Sequence, residues 1–250
     1  MSDGKNVHGL SRDIPAGIAR EIRRQCGFGC IVCGNALYDY EHLDPEFKNA
    51  KEHDPTKIFL VCPNHHREKG SFISVETLKK AAASPFCKKA GFSHLDLDIG
   101  HLTIEVGPFT SKDCPVVLDV KGEKVIWFEP PEEQGGPPRF NATFYDEKGH
   151  KIFWIENNRW HGSVSNFDIV METGQSGAIT IRRKLGEIIF DAEMHSPHTL
   201  KITTLECFYK DVKIKTARKG DVGDFEINEN KILIHSNIYI EKCAAAVAVT

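Results

Sequence analysis

The chain lacks any long apolar run. Nowhere do its 250 residues approach the roughly 18–20 consecutive apolar positions that cross a bilayer. The longest weakly apolar end, residues 244–249, is far too short. A helical membrane protein is therefore not expected, and no membrane partner is. Residues 1–10 are polar and contain no apolar secretory core, so the expected location is the cytoplasm. A strong charge of one sign is also missing. The formal net charge is −3, which argues against a polycation wrapped by nucleic acid. The distribution is uneven, with 14 Lys and Arg against 11 Asp and Glu in residues 1–94, and 18 against 24 in the remainder. A nucleic acid would be drawn to the first segment, if to either. With 40% hydrophobic and 27% charged residues the chain has the composition of a folded globular protein. Its length allows one large domain or two small ones.

Cysteine is plentiful. Cys26, Cys30, Cys33, Cys62 and Cys87 lie before residue 90, with Cys114, Cys207 and Cys243 scattered behind them. Clustered cysteines in a chain without a leader favour metal over disulfides. The scattered ones read as buried thiols, and Cys26 as structural.

The pattern changes near residue 95. Before it the punctuation is helical. Asp13 with Pro15 marks a helix start, and Ile14, Ile18 and Ile22 recur on one face with Arg20, Arg23 and Arg24 outside. Gly27 supplies the stop. Further helices are expected after Pro63 and after Ser74. Beyond 95 the period is two. Strands are expected over 101–106, over 116–121 and 124–129 about a Gly122-Glu123 turn, and over 140–145 and 151–156. More are expected over 178–182 and 187–191 about 184–186, and over 231–235 and 237–241. Residues 130–138, with four prolines and two glycines, are loop. A dozen short strands predict a sandwich or jelly roll, with a β-solenoid as the alternative.

The informative stretch runs from Cys26 to Gly70. Cys30-Ile-Val-Cys33 aims two sulfurs at one point, and Cys62-Pro-Asn-His65 aims a second pair of donors from the other side. Four such ligands suit tetrahedral Zn²⁺, and four protein ligands leave no open position, so the expected role is structural. His66 adjoins a zinc ligand and should point elsewhere. Glu41, His42 and His66 then make a second site, with a carboxylate and an imidazole for a hard divalent cation and a free imidazole as base.

This pattern, Cys30-x-x-Cys33, Glu41-His42-x-x-Pro45, then Cys62-x-x-His65-His66, resembles the HNH endonucleases of the ββα-metal group over about residues 12–80. The resemblance implies His42 as general base, Glu41 and His66 as ligands of Mg²⁺ or Mn²⁺, and Cys30, Cys33, Cys62 and His65 as holders of structural zinc. It departs from the family at Lys57, where an Asn that orients the base often stands. His53 or Asn49 could take that place, and the spacing does not choose between them.

The expectation is thus an α+β chain. A small zinc-stapled ββα-metal domain over 1–94 precedes an all-β domain over 95–250. It would hydrolyse phosphodiesters in DNA rather than RNA, with Arg23, Arg24, Arg67 and Lys69 as phosphate contacts. The β-rich part carries no motif of its own. The cluster around Trp160 and His161 reads as a strand end with a buried Trp, or as a binding patch. An acidic β-domain suits protein partnering, self-association or gating of the nuclease better than clamping DNA, and restriction or anti-phage defence is the expected setting. The rival reading is a catalytically silent zinc module that binds nucleic acid or protein. A third is a structural protein that oligomerises through its β-domain.

Overall fold

In a computed structural model the described residues are 4–95, 103–162, 167–172, 178–184, 186–195, 199–219, 222–234 and 238–250. The chain is mixed α+β, mostly sheet with few helices, and it divides into two compact units. The first comprises Met1–His94 together with Asp168–Thr173, and the second Leu95–Phe167 with Gly174–Thr250. The sequence pattern marks the change near residue 95 and gives no sign that 168–173 joins the first unit. Among the described residues no helix is long and apolar enough to cross a membrane.

In the first unit, helix α1 (Ala16–Cys26) has Pro15 at its N-cap, two residues after the expected Asp13, and ends at Gly27 with a left-handed φ of 76°. There the N–H of Gly27 closes on the carbonyls of Arg23 and Arg24. Its buried face is Ala19, Ile22, Arg23 and Cys26, the i, i+3, i+4, i+7 stripe of an amphipathic helix. Arg23 therefore departs from the sequence expectation. It is 5% exposed, on the inner face of the helix.

A charge is tolerated there because segment 168–173 brings its partner. Arg23 Nε and Nη2 donate to the two carboxylate oxygens of Asp168 at 2.7 Å each, and Nη1 donates to the Tyr40 hydroxyl. The Tyr40 hydroxyl in turn donates to Glu172 at 2.9 Å. Backbone bonds fix the same segment, the Tyr38 N–H reaching the Met171 carbonyl at 3.2 Å.

Strands β1 (Asp39–His42) and β2 (Ile58–Val61) pair antiparallel, with Glu41 opposite Phe59 and His42 opposite Ile58. Helix α2 (Pro63–Glu68) follows at once, with proline in its first turn where the missing N–H costs nothing. Helix α3 (Val75–Ala83) is capped by Ser74 Oγ, which accepts from the Thr77 N–H at 3.1 Å, and α4 (Phe86–Ala90) closes the run. Ile22, Cys26, Ile31, Tyr38, Ile58 and Leu60 form the centre of the core. Each large aliphatic buried there contributes about 1.5–3 kcal/mol.

In the second unit one antiparallel meander runs through Val116–Val120, Glu123–Glu129, Arg139–Tyr145, Lys151–Glu156 and Arg159–Gly162. Another runs from Ala178–Lys184 to Asn230–Ile234 through long hairpins. Parallel pairings join distant segments. Thr103–Val106 lies beside Thr199–Ile202, Phe109–Lys112 beside Ile238–Glu241, and Val116–Val120 beside Ala245–Val249.

The first hairpin turns at Lys121-Gly122, with φ of 53° and 82°, one residue before the expected Gly122-Glu123. Two left-handed residues match the strand twist. Phe140, Phe144, Phe153, Trp160 and Phe190 fill the interior. Trp160, 2% exposed in strand Arg159–Gly162, is the buried strand Trp of the two expected alternatives. Parts of the expected strands at 101–102, 235 and 237, and residue 185 of the expected 184–186 turn, lie outside the described residues.

Removing one partner of a buried, doubly hydrogen-bonded ion pair leaves an uncompensated charge, at about 3–5 kcal/mol. Asp168→Ala should therefore destabilise the first unit by about that amount in denaturant unfolding. A loss below about 1 kcal/mol would show that segment 168–173 is not an integral part of it.

Candidate metal-binding and catalytic site

The loop after α1 turns through Cys30-Ile-Val-Cys33, where the Gly34 N–H donates to the Cys30 carbonyl at 2.9 Å and the Cys30 N–H to the Asn35 carbonyl at 2.8 Å. The Ile31 N–H donates to the Leu60 carbonyl at 2.9 Å, which ties this turn to β2. At the far end of β2, Cys62 caps α2 and His65 lies one turn in. The two turns meet. Cys33 and Cys62 sulfurs are 3.9 Å apart, Cys30 sulfur is 3.6 Å from His65 Nδ1, and Cys62 sulfur is 3.2 Å from the same nitrogen. All four ligand atoms lie within 4.8 Å of one another.

A tetrahedron with metal–sulfur bonds of about 2.3 Å and metal–nitrogen bonds of about 2.0–2.1 Å has edges of about 3.6–3.8 Å. The four donors have the chemistry and the spacing for a metal ion such as zinc. A hydrogen bond with Cys33, opposed by burial and aided by backbone N–H groups of Cys62, Cys33 and Val32, holds the Cys30 thiol below the usual thiol range. A ready thiolate is the form that binds metal. Cys26 stands outside the set. Its sulfur accepts from the Leu60 N–H at 3.4 Å, and burial pushes its thiol up to about 12.

The same two elements carry the second group of side chains. Glu41 and His42 end β1, and His66 follows His65 on α2 but faces the other way. Glu41, His42 and His66 line one open cleft of about 490 Å³. His66 Nε2 is 2.8 Å from a Glu41 oxygen and its Nδ1 is 3.7 Å from Asp39. Asp39 is a cleft residue that the sequence reading did not single out. Strand alternation was its available signal, since Asp39 and Glu41 share a face of β1. Glu172 also lines the cleft, and no local pattern connects it to residues 130 positions away.

Glu41 is buried, and its charge is met by Lys69, which reaches Glu41 and, at 3.0 Å, Glu46. His42 is buried too. Burial, followed by the charges of His53, Arg12 and Lys69, lowers its pKa to about 4, so the imidazole is neutral at pH 7. Its Nε2 lies 3.4 Å from His53 Nδ1, and its ring packs edge-on against Phe47. Of the two residues left open for the place of the family's Asn, His53 is the one beside His42. Lys57 is half-exposed and pairs with Asp54 at 3.4 Å.

None of the four basic residues expected to contact phosphate lines this cleft. Arg23 is buried and closed by Asp168, which corrects that expectation. Arg24 lies in the last turn of α1. Arg67 donates to Asn64 on the exposed side of α2, and Lys69 is held between two carboxylates. No protein-family model, curated protein or solved structure matches the chain.

The protein as isolated should carry one zinc per chain, measured by elemental analysis. Cys62→Ser should abolish it and lower the melting temperature of the first unit. A metal-free protein with unchanged melting would contradict the assignment.

Proposed function

We propose that the chain is a metal-dependent HNH endonuclease acting on DNA. In this reading the first unit has the ββα-metal form, the second is a β-sandwich-like module, and that module or a partner gates cutting. The observation that carries it is the convergence of Glu41, His42 and His66 on one open cleft, beside a Cys₃His cluster that stiffens the same strand and helix. Glu41 and His66 would hold a Mg²⁺ or Mn²⁺ ion, and their donor atoms, an oxygen and a nitrogen 2.8 Å apart on a carboxylate and an imidazole, fit such an ion. When bound, the ion would supply charge stabilisation to the phosphate and the leaving oxygen.

The chain's own part is proton transfer and positioning. In the tautomer in which His42 Nε2 donates to His53 Nδ1, 3.4 Å away, His42 Nδ1 is the nitrogen that takes a proton from water. That water's oxygen bonds to phosphorus, the bond to one bridging oxygen breaks, and the departing oxygen takes a proton from solvent. A neutral imidazole at pH 7 is the form this step needs. Zinc at Cys30, Cys33, Cys62 and His65 is structural, because all four positions are filled by protein.

One observation favours the rival reading of a silent zinc-binding adaptor. Lys69 already neutralises Glu41, so a metal must displace an ammonium that the fold holds in place. Plasmid cleavage separates the two. The nuclease reading expects cutting with Mg²⁺ or Mn²⁺ and a fall of about 10²–10⁴-fold in His42→Ala. Cutting that survives His42→Ala would refute the assignment of the base. No cutting by the intact chain under any divalent ion would favour the adaptor.

A further inference from the structure

Next to the cleft lies a second hollow of about 490 Å³, which shares Arg12, Glu41 and Phe47 with it. The two differ in charge. Asp13, Asp39, Glu41 and Glu172 face the cleft, with Arg12 as its lysine- or arginine-type cation. Lys5, Arg12, Lys48 and Lys69 face the hollow, against Glu41 and Glu46. Lys69 is spent on those two carboxylates. Among the described residues, Lys5, Arg12 and Lys48 make no ion pair. Arg12 instead rests over the Phe47 ring, 4.6 Å from its centre, and the same ring packs edge-on with His42. An acidic cleft repels a phosphodiester unless cations stand beside it; Arg12 lines both the cleft and the hollow, and Lys5 and Lys48 line the hollow.

The loop that carries Lys5 and Arg12 is closed on itself and tied to the turn that carries Lys48. The Asn6 amide nitrogen donates to the carbonyls of Phe47 and Ala50 at 2.6 Å each, and its oxygen accepts from the N–H groups of His8 and Leu10 at 3.0 Å each. The Arg12 N–H donates to the Gly4 carbonyl at 3.0 Å, which closes the loop on itself. A preformed loop loses little further freedom when a ligand settles on it.

We propose that this hollow is a binding subsite for the DNA backbone, in which Lys5, Arg12 and Lys48 hold phosphates flanking the one presented to His42. The proposal rests on the nuclease reading for its orientation, and its test can be read without cutting. The zinc-loaded full chain, with no Mg²⁺ or Mn²⁺ added, is titrated into a fluorescent DNA duplex over a range of salt. Three contacts released together reduce the slope of log affinity against log salt by about 3. The triple variant Lys5→Gln, Arg12→Gln, Lys48→Gln should show that reduction and bind at least about tenfold more weakly at moderate salt. Arg67→Gln, on the exposed side of α2, serves as the comparison and should change the slope less.

An unchanged slope and affinity in the triple variant, with folding intact by circular dichroism, overturns the subsite. So does a wild-type chain that binds no duplex at any salt. Binding that follows the prediction in a chain that does not cut leaves the subsite standing and favours the adaptor over the nuclease reading. Cutting by a chain whose binding ignores these residues does the reverse.

Discussion

The first unit depends on the meeting of two short turns, Cys30–Cys33 and Cys62–His65. This unit has a small core, and the 15 residues between β1 and β2 contribute only two short 3-10 turns, Phe47–Asn49 and Pro55–Lys57. At the end of β2 and the start of α2 stand two of the four donors drawn within 4.8 Å of one another. Once Cys62 and His65 are committed inward, the helix geometry turns His66 out, toward the carboxylates of β1. The ligand set and the cleft are thus two faces of one small piece of chain. A structural ion here would hold the reactive side chains in register without a large core beneath them.

A second constraint is electrostatic. Arg23 could not sit on the inner face of α1 alone, because an unpaired buried guanidinium is too costly. Its partner arrives from position 168. The same six-residue segment places Glu172 on the cleft wall, hydrogen-bonded to Tyr40, whose neighbours in β1 are Asp39 and Glu41. Any process that draws this segment away uncovers the Arg23 charge and alters the cleft together.

What was legible in the sequence was what is local. The Ser74 cap, the proline opening α2, the glycine ending α1 and the Cys-x-x-Cys turn are each written within a few residues, and each is where the spacing puts it. The hairpin flanking strands are also local, apart from the one-residue shift of the turn to Lys121-Gly122. Arg23 departs from its expected face because helical periodicity reports which face a residue occupies only when its hydrophobicity agrees with its burial, and a paired arginine breaks that agreement. Glu172 and the parallel pairings of the second unit are long-range contacts with no local signature. Asp39 lay between these cases, since strand alternation places it with Glu41 and nothing in its own type marks it out.

The most direct test of the account is whether a divalent ion enters the cleft between Glu41 and His66. Crystals of the zinc-loaded chain soaked in Mn²⁺ would show it by anomalous scattering. The expected result is a manganese peak bonded to Glu41 and His66, with the Lys69 ammonium moved off the Glu41 carboxylate. A cleft with no manganese, and Lys69 still paired with Glu41 at saturating metal, would contradict it.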